Sequence, residues 1–190
     1  MNSPSHIVIN LVLLGSGVGK LHTRSILAGS LLPDLPMFHF YFVEKFILHT
    51  REKVIWMEAY FQPWWQDFFD LFNSIPIIFL GIAVAWSRKS KSAAYFLVSM
   101  LLHVLIDFFL HHDDAHRIFF PLADWRFFSP VSYWDPSHYG KITAPLEAVA
   151  AIVCCTVLFS RYKSKGVKIT ISLMVLLYTS YLAMSLFVWK

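Results

Sequence analysis

The sequence predicts an all-α, polytopic membrane bundle with about four full spans preceded by two short or broken helices. Three observations lead there. Of 190 residues, 57% are hydrophobic and 15% charged, against roughly 45–50% apolar in an ordinary globular domain, and the mean hydropathy is +0.55. Several apolar runs have the length a hydrocarbon core requires. The basic residues that lift the pI to about 9.1 sit beside those runs, where membrane topology explains them, so nucleic acid is not an expected partner.

The first fifty residues hold the short pieces. Residues 7–18 are apolar but short, residues 25–32 are shorter, and Pro33 and Pro36 interrupt the next stretch. An interfacial aromatic helix is expected near residues 38–48. Residues 70–86, 93–111 and 145–160 have about the length of a span, and residues 167–189 can cross with some tilt. The whole chain, 1–190, reads as a single integral membrane domain with one long loop, 112–144. No basic n-region or small-x-small cleavage site marks a signal peptide, so the segment bearing His6 is expected in the mature protein. Cys154 and Cys155 are adjacent within an apolar run and read as small hydrophobes. The stretch GSGVGK at residues 15–20 is not a phosphate loop, because Leu14 stands where the motif needs glycine and Leu21 where it needs Ser or Thr.

Sidedness can be read from the connectors. Lys20, Arg24, Arg88, Lys89, Lys91, Arg161, Lys163, Lys165 and Lys168 fall in three connectors that contain no Asp or Glu. If the segments alternate, all three lie at one face, which the positive-inside rule makes cytoplasmic. His6, Asp34, Asn73, Asp107, His111 and Glu147 then converge at the opposite face, in one outer leaflet. The expected location is a bacterial inner membrane with the site facing the periplasm.

The chemistry is concentrated in residues 101–135, LLHVLIDFFLHHDDAHRIFFPLADWRFFSPVSYWD. Ionisable groups in an apolar segment are costly and usually functional. His103, Asp107 and His111 recur at i, i+4 and i+8, along one helix face. Zinc takes imidazole nitrogens and carboxylate oxygens and keeps one position open in catalytic sites, so these residues read as metal ligands. His6 and Asp34 can add two ligands from the N-terminal half, and His112, His116 and Asp113 are further candidates. The bland alternative is that the histidines form interfacial hydrogen bonds and caps. Arg117, Arg126 and Lys141 could hold an anion or pair with nearby aspartates, the reading preferred for Arg126. Trp64, Trp65, Trp125, Tyr133, Trp134 and Tyr139 suit an interfacial aromatic belt. Ser129 and Ser132 lack the context of a serine nucleophile.

Short matches in order along about two-thirds of the chain add a resemblance. They are Ser5-His6-Ile7, Leu31-Leu32-Pro33-Asp34, Leu102-His103-Val104-Leu105-Ile106-Asp107, Phe120-Pro121 and Trp125-Arg126-Phe127. In these the chain resembles the YdjM-type bacterial inner-membrane proteins, described as membrane-bound metal-dependent hydrolases and distantly similar to zinc-dependent phospholipase C and P1-type nucleases. The resemblance implies a helical metal site and phosphoester hydrolysis, with His6, Asp34, His103 and Asp107 at the matching positions. The chain departs from the pattern at Asn73, where a histidine is expected, and it has no His-Arg-Gly.

The resulting expectation is a metal-dependent hydrolase of a phosphoester, including a lipid-linked one, at the outer membrane face, with membrane lipid as its surroundings. His6, Asp34, His103, Asp107, His112 and His116 are the candidate ligands of a divalent metal, zinc first and manganese second. His111 and Asp113 are candidates for proton transfer, and Arg117 and Arg126 for steadying an anionic leaving group. The rival is a non-catalytic membrane subunit or assembly factor whose histidines bind a pigment or haem or serve packing. A transporter ranks below both, because no inverted repeat is visible.

Overall fold

The computed structural model describes residues 1–188, with side chains through Met184; the end of the expected 167–189 span, at Trp189, lies outside the described residues. The described residues are all-helical, and among them five helical runs are long and apolar enough to cross a membrane: Lys20–Ile47, Pro63–Ser87, Lys91–Phe108, Gly140–Arg161 and Lys165–Met184.

Helix α1 (Ser3–Leu14) opens with Pro4 in its first turn, where a missing N–H costs nothing. α2 (Lys20–Leu31) passes through a 3₁₀ turn (Leu32–Asp34) into α3 (Leu35–Phe42) and a π-turn (Val43–Ile47). Pro33 and Pro36 therefore modulate this run and do not end it. Each stands in the first turn of a new segment, where the ring does not displace a needed donor. α4 (Glu52–Met57) and α5 (Pro63–Phe72) fold back beside it. Asn73 and Ser74 break the path between α5 and α6 (Ile75–Ser87), and Ser74 Oγ caps the new helix at Ile77 N, 3.3 Å away. α7 (Lys91–Phe108) is capped by Ser90 and stops three residues before His111. α8 (Gly140–Arg161) begins ahead of Pro145, and α9 (Lys165–Val188) comes last.

Three clusters hold these elements together. Val8, Ile26, Ala148, Ala151, Cys155, Leu158, Ile171 and Tyr178 join α1, α2, α8 and α9. Ile78, Met100, Val104 and Ile118 join α6, α7 and the following loop. Phe40, Ile55, Tyr60, Trp65 and Phe69 form an aromatic core between α3, α4 and α5. Trp65 is thus buried, unlike the exposed Trp64 beside it: its indole fills this core and donates to the buried carboxylate of Glu44, 3.1 Å away.

The closest packing is between α2 and α7, and Gly29 permits it. A Cβ at Gly29 would lie 2.0 Å from the carbonyl oxygen of Phe96, which is the close backbone approach that small residues allow between membrane helices. Polar bonds lock the same region. Asn10 Nδ2 donates to Ser99 O and Oγ, both at 2.8 Å, and Ser99 Oγ donates to Ile26 O at 2.7 Å.

Gly29→Ala is therefore expected to separate α2 from α7 and destabilise the protein by about 1–3 kcal/mol, the usual cost of overpacking. Thermal unfolding in detergent measures it. Gly19→Ala, which meets nothing within 4 Å, is the control and should leave the transition in place.

Candidate metal centre

Helices α1, α5, α7 and α8, the 3₁₀ turn after α2 and the 109–139 loop deliver polar side chains to one end of the bundle. The basic connectors lie at the other end, where Arg161 Nη1 donates to Val12 O at the close of α1, 2.8 Å away. His103 and Asp107 are one turn apart on α7 and face inward. His6 comes from the second turn of α1, and Asp34 from the 3₁₀ turn after α2.

His6, His103 and Asp107 are all buried, and each offers one ligand atom within 4.8 Å of the others. His6 Nε2 is 3.0 Å from Asp107 Oδ1, and His103 Nε2 is 3.0 Å from Asp107 Oδ2 and 3.5 Å from Asp34 Oδ1. The two imidazoles stack with centroids 3.5 Å apart. His103 Nδ1 lies 2.7 Å from Ser30 O. A carbonyl only accepts, so Nδ1 carries a hydrogen and Nε2 is turned to the carboxylates. This outer-sphere bond is how proteins orient a metal-binding histidine.

The donor set fits a cation on a second ground. His103 Nε2, His6 Nδ1 and Asp34 Oδ2 are buried with no aligned hydrogen bond among the described residues. Buried polar atoms are ordinarily paired. Two carboxylates crowding one unaligned imidazole nitrogen is an arrangement that a shared positive ion resolves.

His111 continues the cluster from just beyond α7. Its Nε2 is 3.5 Å from Asp107 Oδ1 and its Nδ1 is 2.8 Å from Asp114 Oδ2. Burial works against a charged His111, but the Asp107 and Asp114 carboxylates prevail and carry its pKa up to about 9. The Met1 nitrogen is 2.6 Å from Asp107 Oδ1. A cavity of about 80 Å³ lies against these groups, walled in part by Asp34, Asp107, His111, Asp114 and His116. Asn73, at the end of α5, is buried and donates from Nδ2 to Phe69 O at 3.0 Å. It lines a neighbouring cavity of about 10 Å³, space for about one water, together with Asp107, His111 and His116.

Of the remaining candidates only His116 borders the cavity, and none joins the His6, His103 and Asp107 group. His112 Nδ1 lies 2.6 Å from Ser129 O, and its ring stacks on His138 at 3.6 Å. Asp113 is exposed. His116 Nδ1 is 3.3 Å from Asp70 Oδ1. The guanidinium of Arg117 is shared among Asp67, Asp70 and Asp124, and those carboxylates raise its pKa despite the opposing effect of burial. Arg126 Nη1 donates to Gln66 Oε1 and Ala115 O at 3.0 and 2.7 Å.

Three further residues support the centre. Asp70, fully buried, accepts from Arg117 N and Nε at 3.0 and 2.5 Å and ties the 109–139 loop to α5; a lone acid within Phe68-Phe69-Asp70-Leu71-Phe72 was the signal for it. Asp114 orients His111. Glu147, on α8, accepts from Asn2 N, Asn2 Nδ2 and Ser5 Oγ at 2.9, 3.0 and 2.6 Å, fixing the first turn of α1 immediately before His6.

Comparison with known proteins gave no match to a family model, a curated protein or a solved structure.

Asp70→Asn removes a buried partner from Arg117, a change that typically costs about 3–5 kcal/mol. The expected result is a lower unfolding temperature together with faster proteolysis within residues 109–139. Asp124 is 91% exposed at its side chain, so Asp124→Asn should fall within the ~0–1 kcal/mol of a surface pair.

Proposed function

We propose that this is a membrane-bound, metal-dependent hydrolase acting on a phosphoester, a lipid-linked one included. The observation that carries the reading is the buried pairing of His103 with Asp107 and Asp34, with His103 Nδ1 held by Ser30 O and Nε2 lacking an aligned hydrogen bond. The four positions that would hold the ion, His6, Asp34, His103 and Asp107, are also those on which the resemblance to YdjM-type proteins rests, and we propose that family as the chain's kin.

A divalent cation held there supplies Lewis-acid polarisation of a phosphoryl oxygen and brings the ionisation of water toward neutral pH. The chain's own groups do the rest. Asp107 uses both oxygens, one toward His6 and His111 and one toward His103, and so sets the spacing of three imidazoles. His111, braced by Asp114, presents Nε2 to the cavity side of Asp107, where it can hold or return a proton. Glu147 keeps α1, and with it His6, in register. Arg117 and Arg126 are committed to carboxylates, amide and carbonyl groups, which favours a supporting part for both.

The haem or pigment alternative needs an isolated histidine facing a flat apolar slot. His6 and His103 instead stack on one another and share a carboxylate, which favours an ion over a macrocycle.

Purified protein in detergent is expected to carry near-stoichiometric zinc or manganese by elemental analysis, and His103→Ala/Asp107→Ala should lose it. A native protein that takes up no metal even with excess ion would sink the hydrolase reading. For orientation, we propose the basic connectors as cytoplasmic. An alkaline phosphatase fusion at Asp124 should then be active and one at Ser164 inactive; the reverse pattern would invert the site.

A further inference from the structure

The distance of the centre from the basic end bears on what can reach it. Asp34 stands fourteen residues beyond Lys20 on one helical run, Asp107 sixteen beyond Lys91, and Glu147 fourteen before Arg161. At the helical rise these are about 21, 24 and 21 Å. Three separate helices agree on one level. With a hydrocarbon core about 30 Å thick, measured from the basic edge, that level lies beneath the far headgroups.

The exposed surface around the centre agrees with that depth. Beyond Asp34, the helix still exposes Leu35 (49%), Phe38 (56%), Phe42 (55%) and Phe46 (60%). On α8, Ile142 (58%) and Leu146 (62%) are exposed on the far side of Glu147 from the basic end. Apolar surface therefore continues past the centre on two helices, as lipid contact requires and water contact does not. The adjoining cavity is lined both by polar groups, Asp34, Asp107 and His111, and by apolar ones, Pro33, Met37 and Phe69. Above the cavity the loop is tied down, with Tyr133 N donating to Leu110 O at 3.0 Å and Trp134 Nε1 to Asp114 Oδ2 at 3.1 Å.

We infer that the substrate is the phosphoester of a membrane lipid taken from the surrounding leaflet, not a water-soluble ester; this rests on the hydrolase reading. The lipid's chain stays against the exposed apolar surface while its phosphate enters the cavity beside Asp34, Asp107 and His111. Water's oxygen forms the new bond to phosphorus, the ester P–O bond breaks, and the leaving alkoxide receives the proton. No oxidant or further co-reactant is needed.

Depth and substrate are tested separately. Leu35→Cys, in a Cys154→Ser/Cys155→Ser background with unchanged metal content, is spin-labelled and reconstituted into phosphatidylcholine/phosphatidylglycerol vesicles. The label should collide with oxygen and be shielded from a water-soluble nickel chelate, in contrast to a label at Asp113→Cys. Equal access of the chelate to both positions puts the centre at water level and overturns the proposal. In the second arm, metal-loaded protein should release phosphate from phosphatidic acid in vesicles about tenfold or more faster than from glycerol 3-phosphate, because binding energy of the remote chain is used at the reacting centre. Equal rates, or a faster soluble ester, overturn the lipid assignment and leave the hydrolase reading standing. Release from neither defeats the hydrolase reading and the substrate assignment with it, while the labels still report the depth.

Discussion

The carboxylate of Asp107 is the contact on which the polar end of the bundle depends. It is buried at the last turn of α7, and groups from three parts of the chain, His6, His103 and His111, lie within 3.5 Å of it. A buried acid without partners would cost several kcal/mol. The chain meets that cost by bringing α1 and the start of the 109–139 loop to the same point, and Asp34 meets it through His103. The helical packing beneath serves this convergence. Gly29 lets α2 approach α7 closely enough for the carbonyl of Ser30 to reach His103, and Glu147 holds the first turn of α1 so that His6 arrives opposite.

The two ends of the structure are stabilised differently. Toward the basic end, small apolar contacts among α1, α2, α8 and α9 dominate, with Asn10 and Ser99 supplying interhelical hydrogen bonds. Toward the polar end, an aromatic core around Phe40 and Phe69 stands beside an ion-pair network centred on Asp70. Residues 109–139 contain little regular structure beyond one 3₁₀ turn. Their backbone is held by Arg117 and Arg126, by Ser129 Oγ donating to Phe109 O, by Ser132 Oγ accepting from Trp134 N and Asp135 N, and by backbone bonds such as Tyr133 N to Leu110 O.

Much of the architecture was legible in the sequence, because apolar runs of spanning length punctuated by Lys and Arg leave few other arrangements. The one-turn spacing of His103 and Asp107 declared a shared helix face, and alternation of the segments brought His6, Asp34 and Glu147 to the same end. What escaped is physically specific. Proline in a first turn reads locally as an interruption, yet Pro33 and Pro36 sit in a run that continues to Ile47. The partners of Arg117 on α5, Asp67 and Asp70, are about fifty positions away, and nothing local announces them. Trp65 carries the composition of an interfacial belt but belongs to a core, because Glu44 and Phe40 come from another helix to receive it.

Helix α1 has a consequence for the lipid around it. With twelve residues it is about 18 Å long, well short of a hydrocarbon core of about 30 Å. The guanidinium of Arg161 reaches back to the carbonyl of Val12, carrying a charge and its hydration down to where the helix stops. A short helix of this kind is accommodated by thinning of the adjacent bilayer and by snorkelling of flanking residues. The membrane beside α1 is thus expected to dimple toward the protein on the basic face, and the barrier between the aqueous phase there and the buried histidines is narrower than five full-length spans would suggest.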